Sequence, residues 1–160
     1  KRTDGSGTEE MVIAATDNVM MNPYSVSPDG RYIAYHDQAA EGDIWIFPLD
    51  GSGEPEPIFE SASIEGDPVF SPDGRWISYD ADDSGDWEVY VRPFPGPGGK
   101  WQISAEGGEF ARWSADGRKI FYRNRDGGIW SVEVDGTGDF VDVLPASALG
   151  TDSGHFKLIV

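Results

Sequence analysis

Phe70-Ser71-Pro72-Asp73-Gly74-Arg75-Trp76-Ile77-Ser78-Tyr79 decides the fold, because the chain writes this stretch three times. The other copies are Val26-Ser27-Pro28-Asp29-Gly30-Arg31-Tyr32-Ile33-Ala34-Tyr35 and Trp113-Ser114-Ala115-Asp116-Gly117-Arg118-Lys119-Ile120-Phe121-Tyr122. Their serines are spaced by 44 and then 43 residues. A period of that length marks one supersecondary unit that buries its faces only against neighbouring copies.

Within a copy, the run ending at Val26, Phe70 or Trp113 reads as a first strand. Pro-Asp-Gly follows, or Ala-Asp-Gly in the third copy. Pro presets φ, Asp bonds the backbone ahead of it and Gly accepts positive φ, so this is a tight hairpin turn. Asp116-Gly117 should keep that turn without the proline. The second strand is read as Arg-x-Ile-x-Tyr, with Arg31, Ile33 and Tyr35 and their counterparts sharing one face. The intervening residues are partly apolar, so both faces are at least partly covered.

A polar loop comes next, then a third strand at Ile44-Trp45-Ile46, Val89-Tyr90-Val91 and Ile129–Val132. A Gly-rich turn leads to a fourth strand at Pro57-Ile58-Phe59, Trp101-Gln102-Ile103 and Phe140–Val143. No stretch of a dozen residues shows a helical period with caps, and 21 glycines and 11 prolines break the chain into short runs. The expectation is all-β: a β-propeller built of four-stranded antiparallel blades.

The blades are placed at 21–62, 63–105 and 106–146. Residues 1–20 read as the end of a preceding blade and 147–160 as the start of a further one. Asp4-Gly5-Ser6-Gly7 repeats Asp50-Gly51-Ser52-Gly53, which makes Lys1–Thr3 the tail of a third strand and Met11–Ala15 a fourth. Phe156–Val160 falls where a new first strand belongs. Three complete blades with partial blades at both ends cannot close a ring of four to eight. The chain is therefore expected to be a segment of a longer propeller, or several chains complete a ring as a homo-oligomer.

The net charge is −17 over 160 residues. That argues against nucleic acid, whose phosphates need Lys and Arg, and favours solubility or basic partners; a salty habitat would produce the same balance. There is no cysteine, which removes disulfides and thiolate chemistry. No apolar run approaches a membrane span, so no membrane insertion is expected.

Catalysis finds little support. There is no Gly-x-Ser-x-Gly elbow, and His36 and His155 are the sole histidines. His36 stands where the other copies carry Asp80 and Arg123, so it reads as a solvated strand end. Asp83-Ser84-Gly85 and Asp152-Ser153-Gly154 match an aspartic-protease triplet in letters but lack the apolar lead-in strands, and read as turns. Asp80-Ala81-Asp82-Asp83-Ser84-Gly85-Asp86 puts oxygens at alternate positions like a calcium loop, with Asp80, Asp82 and Asp86 as the candidate ligands. The twelfth position is Val91 rather than the usual Glu, and a solvated acidic hairpin is the plainer reading. No catalytic or cofactor-binding residue is expected.

Recurring aromatics such as Tyr35, Tyr79 and Tyr122 read as packing between blades. Trp87 and Trp101 do not recur and are the candidate surface contacts. Arg31, Arg75 and Arg118 are expected to pair with the turn aspartate or a neighbouring blade.

The Ser-Pro-Asp-Gly-Arg-x-Ile-x-Tyr repeat, with an aromatic in the third strand, resembles the WD40-like (PD40) propeller repeat of the bacterial TolB family over essentially the whole chain. Tyr90–Ser104 is similar to propellers attached to bacterial Ser/Thr kinases. The resemblance implies a periplasmic or extracytoplasmic, non-catalytic platform or sensor that binds a protein or peptide. It implies as the alternative a gating propeller of a prolyl-oligopeptidase-type serine peptidase, whose catalytic domain lies outside this chain.

Overall fold

The computed structural model describes residues 7–14, 20–37, 43–58, 62–135, 142–143 and 147–148. Every regular element among them is a strand. The first blade is β1 (Met21–Val26), β2 (Tyr32–Asp37), β3 (Asp43–Pro48) and β4 (Glu56–Pro57), hydrogen-bonded in that order. The second is β5 (Glu65–Phe70), β6 (Trp76–Ala81), β7 (Glu88–Pro93) and β8 (Trp101–Gln102). The third begins with β9 (Glu109–Trp113), β10 (Lys119–Arg123) and β11 (Ile129–Asp135). All pairs are antiparallel.

The third blade departs from the sequence reading at its outer edge. β12 (Asp142–Val143) pairs with Val134 and Asp135 at one end of β11, and β13 (Ser147–Ala148) pairs with Trp130 and Ser131 farther along it. Residues 147–148 therefore extend the third sheet and do not open a further blade. Residues 11–14 carry no strand. The strands read at Lys1–Thr3 and Phe156–Val160 lie outside the described residues. The recurring arginines sit one residue before their strands, in the turn.

The turn explains why Ser, Asp and Gly recur together. The Asp73 carboxylate accepts from the Ser71 hydroxyl at 2.6 Å and from the Arg75 N–H at 3.1 Å, while the Ser71 oxygen accepts from the Trp76 N–H at 3.0 Å. Gly74 sits at φ +72°, where a side chain is strained. The same three bonds recur around Ser27 and Asp29 and around Ser114 and Asp116. Ala115 leaves the network whole, as expected, because proline contributes φ and no hydrogen bond. The Ser27 and Ser114 hydroxyls hold the Asp29 and Asp116 carboxyls below the usual range. Arg75 also closes on Asp73 at 2.9 Å, whereas Arg31 reaches Asp50 across the neighbouring turn. Ser71 is buried, so Ser71→Ala strands two polar partners and should lower stability by about 1–2 kcal/mol. Urea melts check this, and Ser71→Thr should restore part of the loss.

The blades are arranged radially. The first strands of successive blades lie side by side, β1 against β5 and β5 against β9, while the substantial contacts of β4 and β8 are with their own third strands. β1, β5 and β9 are thus the inner strands, and the sheets splay outward. Between the first two blades, Phe70 and Ile77 pack on Ala34 and Ile46. Between the second and third, Ile120, Tyr122 and Ala111 pack on Val89 and Val91. Every residue of β6 is buried, since it has a blade on each face. The recurring Tyr35, Tyr79 and Tyr122 are all buried.

Candidate functional site

The inner strands carry the unusual geometry. Each is bulged near its start, so that Tyr24, Asp67 and Phe110 fall in or beside the break in the ladder. Asp67 and Phe110 occupy equivalent positions, four residues before Ser71 and Ser114, and both are held at positive φ, +51° and +60°. Such a conformation costs a non-glycine residue on the order of 1–3 kcal/mol and persists only where surroundings over-determine it. Here the Phe110 N–H donates to Asp80 Oδ2 of the preceding blade at 2.7 Å.

Asp80 is the most perturbed acid in this group. It is fully buried on β6. Its Oδ1 meets no N–H or hydroxyl, and the Asp67 carboxyl lies in hydrogen-bond contact with it. Two carboxyls in contact need a shared proton. Burial, aided by the negative charges of Asp67 and Glu109, pushes Asp80 up to about 8. Burial also raises Asp67, against which the Arg112 guanidinium and His36 act.

The exposed parts of the same surface are aromatic. Tyr24 and Phe110 both present their rings to solvent. Burial together with Asp67 and Asp80 raises the Tyr24 hydroxyl. The Arg123 guanidinium lies 4.5 Å from the Phe110 ring centre and bonds Glu109 at 2.5 Å. An inner surface thus combines two accessible rings, two carboxyls raised above the usual range and two arginines.

The calcium loop is not assembled. Asp80 ends up inside β6, Asp82 Oδ1 accepts from the Ile64 N–H at 3.0 Å, and Asp86 pairs with Arg125. Alternation along the strand and pairing with neighbouring segments send the three carboxylates in different directions. Among the described residues no group of three or more His, Cys, Asp or Glu could hold a metal. Trp87 is exposed on the loop after β6, while Trp101 packs edge-on against Trp76 with ring centres 5.7 Å apart. His36 is not the solvated residue expected: it lies half-buried on β2, and its Nε2 is buried without a partner. The reason is that β5 of the next blade packs against β2. His155 lies outside the described residues.

Sequence reading missed Tyr24, Asp67 and Phe110, because a bulge at positive φ has no letter code when the residue is not glycine. The available signal was Glu-Gly-Asp-Pro at 65–68 and Glu-Phe-Ala at 109–111, where the strand pattern falters just before each turn.

Two clefts open at the opposite end, beside the Ser-Pro-Asp-Gly turns. One of about 360 Å³ lies between Tyr32, Pro57 and Phe94, and one of about 800 Å³ between Trp76, Trp113 and Arg118. Neither is lined by a non-glycine residue at positive φ.

No protein-family model matches the chain. The TolB structure from Agrobacterium tumefaciens superposes with a TM-score of 0.64 and 24% identity, over 82% of this chain and 51% of that one. This chain has a TolB-like β-propeller fold. The TolB structure from Acinetobacter baumannii gives 0.62 and 21%, over 82% of this propeller chain and 33% of that one. Dipeptidyl-peptidase 5 from Trichophyton equinum is 29% identical over 64% of the propeller chain, which spans only 18% of that relative's length.

Proposed function

We propose that this chain is the non-catalytic binding module of an extracytoplasmic protein, and that its inner-strand surface takes an extended protein or peptide segment. The observation that carries this reading is the pair of strained residues, Asp67 and Phe110, at equivalent points of two inner strands. Strain kept at matched positions, beside exposed rings and a buried acid, is the signature of a surface shaped for a ligand. The rings of Tyr24 and Phe110 serve as anchors, since aromatic side chains lose little conformational freedom on binding. The Arg112 guanidinium and the carboxyls orient the bound backbone. The TolB-like fold and the repeat resemblance support the compartment and the kind of partner.

The competing reading, a gating propeller of a serine peptidase, draws on the dipeptidyl-peptidase 5 similarity. A Gly-x-Ser-x-Gly strand-turn-helix elsewhere in the same polypeptide would favour it. The test of the binding reading has two arms. A selection from a random peptide library against the immobilised chain should yield specific binders, and ester and dipeptide-anilide substrates should show no turnover. Reproducible turnover that survives repurification and disappears on a point substitution within residues 1–160 would overturn it.

A further inference from the structure

The carboxyls of Asp67 and Asp80 lack a cation of their own. Asp80 is 1% exposed, and its Oδ1 meets no N–H or hydroxyl. Asp67 is half-buried beside it, so the pair is reached from the surface through Asp67. Among the described residues neither carboxyl forms an ion pair. The two arginines of this surface are engaged elsewhere. The Arg112 guanidinium donates to Ala111 O at 2.7 Å, and the Arg123 guanidinium bonds Glu109.

The surroundings select the charge of an occupant. An anion would add a further negative charge beside Asp67, Asp80 and Glu109, and an apolar group would leave the buried carboxyl uncompensated. A cation meets both needs. The rings of Tyr24 and Phe110 flank the pair, and an aromatic face attracts a cation. Phe110 already shows this chemistry, with the Arg123 guanidinium 4.5 Å from its ring centre. The net charge of −17 draws basic ligands toward the chain as a whole.

We propose that the Asp67–Asp80 pair is a subsite for one basic side chain, lysine or arginine, of the segment bound on the inner-strand surface. The cation bonds the Asp67 carboxyl, with Asp80 beneath it, and the aliphatic stem lies along the Tyr24 and Phe110 rings. This inference rests on the peptide-binding reading and deepens it by naming the side chain that the surface selects.

Peptides selected from a random library against the immobilised chain are the probes, synthesised with acetylated N-termini so that no terminal amine competes. They should carry Lys or Arg at one fixed place. Replacing that residue with norleucine should cost wild type roughly tenfold or more in affinity, as for a charged hydrogen bond. The same replacement should cost Asp67→Asn little, since the carboxylate is already gone. Asn accepts positive φ, and Asp67→Gly provides a second variant that removes the strain altogether. Glu54→Gln, an exposed acid beside the first cleft at the opposite end, should keep the full preference. Binders that lose affinity with Phe110→Ala yet tolerate norleucine would overturn this inference and leave the peptide reading standing. Equal loss of the preference in Asp67→Asn and Glu54→Gln would also overturn it, because attraction to an acidic chain would then suffice. Binding that disappears on acetylation would assign the subsite to a terminal amine and overturn it as well. No binders at all would overturn both readings.

Discussion

Asp80→Asn should raise the melting temperature at pH 8 by about 5–10 °C and change it little at pH 4. The carboxyl is buried, its Oδ1 finds no N–H or hydroxyl, and Asp67 touches it. In the unfolded chain Asp80 gives up its proton near pH 4. In the folded chain it keeps that proton until about 8. Between those values the folded state binds more protons, so stability falls as pH rises through the window and levels off above it. The ceiling on that loss is on the order of 5 kcal/mol; relaxation around the site reduces it, and a domain of this size moves roughly 2–4 °C per kcal/mol. Asn keeps an acceptor for the Phe110 N–H and offers Asp67 an N–H where the protonated acid offers its O–H. The comparison with wild type reads Asp80 together with Asp67, which is coupled to it, against the background of the other groups that face the site, namely Tyr24, His36, Glu109 and Arg112. Thermal melts of both proteins from pH 4 to 9 read the effect. Parallel pH profiles would show that Asp80 is ionised and solvated in the folded chain.

Trp113→Ala should loosen the interface of the second and third blades, costing about 3 kcal/mol. The indole packs against the cluster formed by Trp76, Val89, Val91 and Ile120. Its N–H also donates to Val69 O and Ser78 Oγ. Removing a buried aromatic typically costs about 3–5 kcal/mol, and the low end applies because Trp113 is only half-buried. Trp113→Phe should recover the packing but not the hydrogen bonds, and so about half of the loss. Denaturant titration followed by fluorescence of the remaining tryptophans checks both. An alanine variant within about 0.5 kcal/mol of wild type would mean that the second and third blades do not depend on this wedge.

The propeller was legible because its information is local and repeated. Ser, Asp and Gly at fixed offsets specify the turn, and the bonds among Ser71, Asp73 and Trp76 show why each letter is needed. The recurring tyrosines announced packing and are buried. The proposed binding surface was not legible, for two physical reasons. Pairing in a propeller is between blades, so Asp80 reads in sequence as a loop ligand while its contact, the Phe110 N–H, lies thirty residues away. Strain at a non-glycine residue depends on what surrounds it, so nothing in the letters of Asp67 or Phe110 marks the positive φ. Trp101 shows the converse: a residue that does not recur can still be packing, as its edge-on contact with Trp76 is.

The most direct test of the central claim is a binding comparison with one peptide selected against the wild-type chain. Fluorescence anisotropy would be read for wild type, Phe110→Ala, Tyr24→Ala and, at the opposite end of the blades, Arg75→Ala. The account predicts at least a roughly tenfold loss of affinity for Phe110→Ala, as expected for an aromatic anchor, a smaller loss for Tyr24→Ala, and no change for Arg75→Ala. Full affinity in both aromatic variants, with a loss in Arg75→Ala, would place the ligand at the turn end and contradict the account.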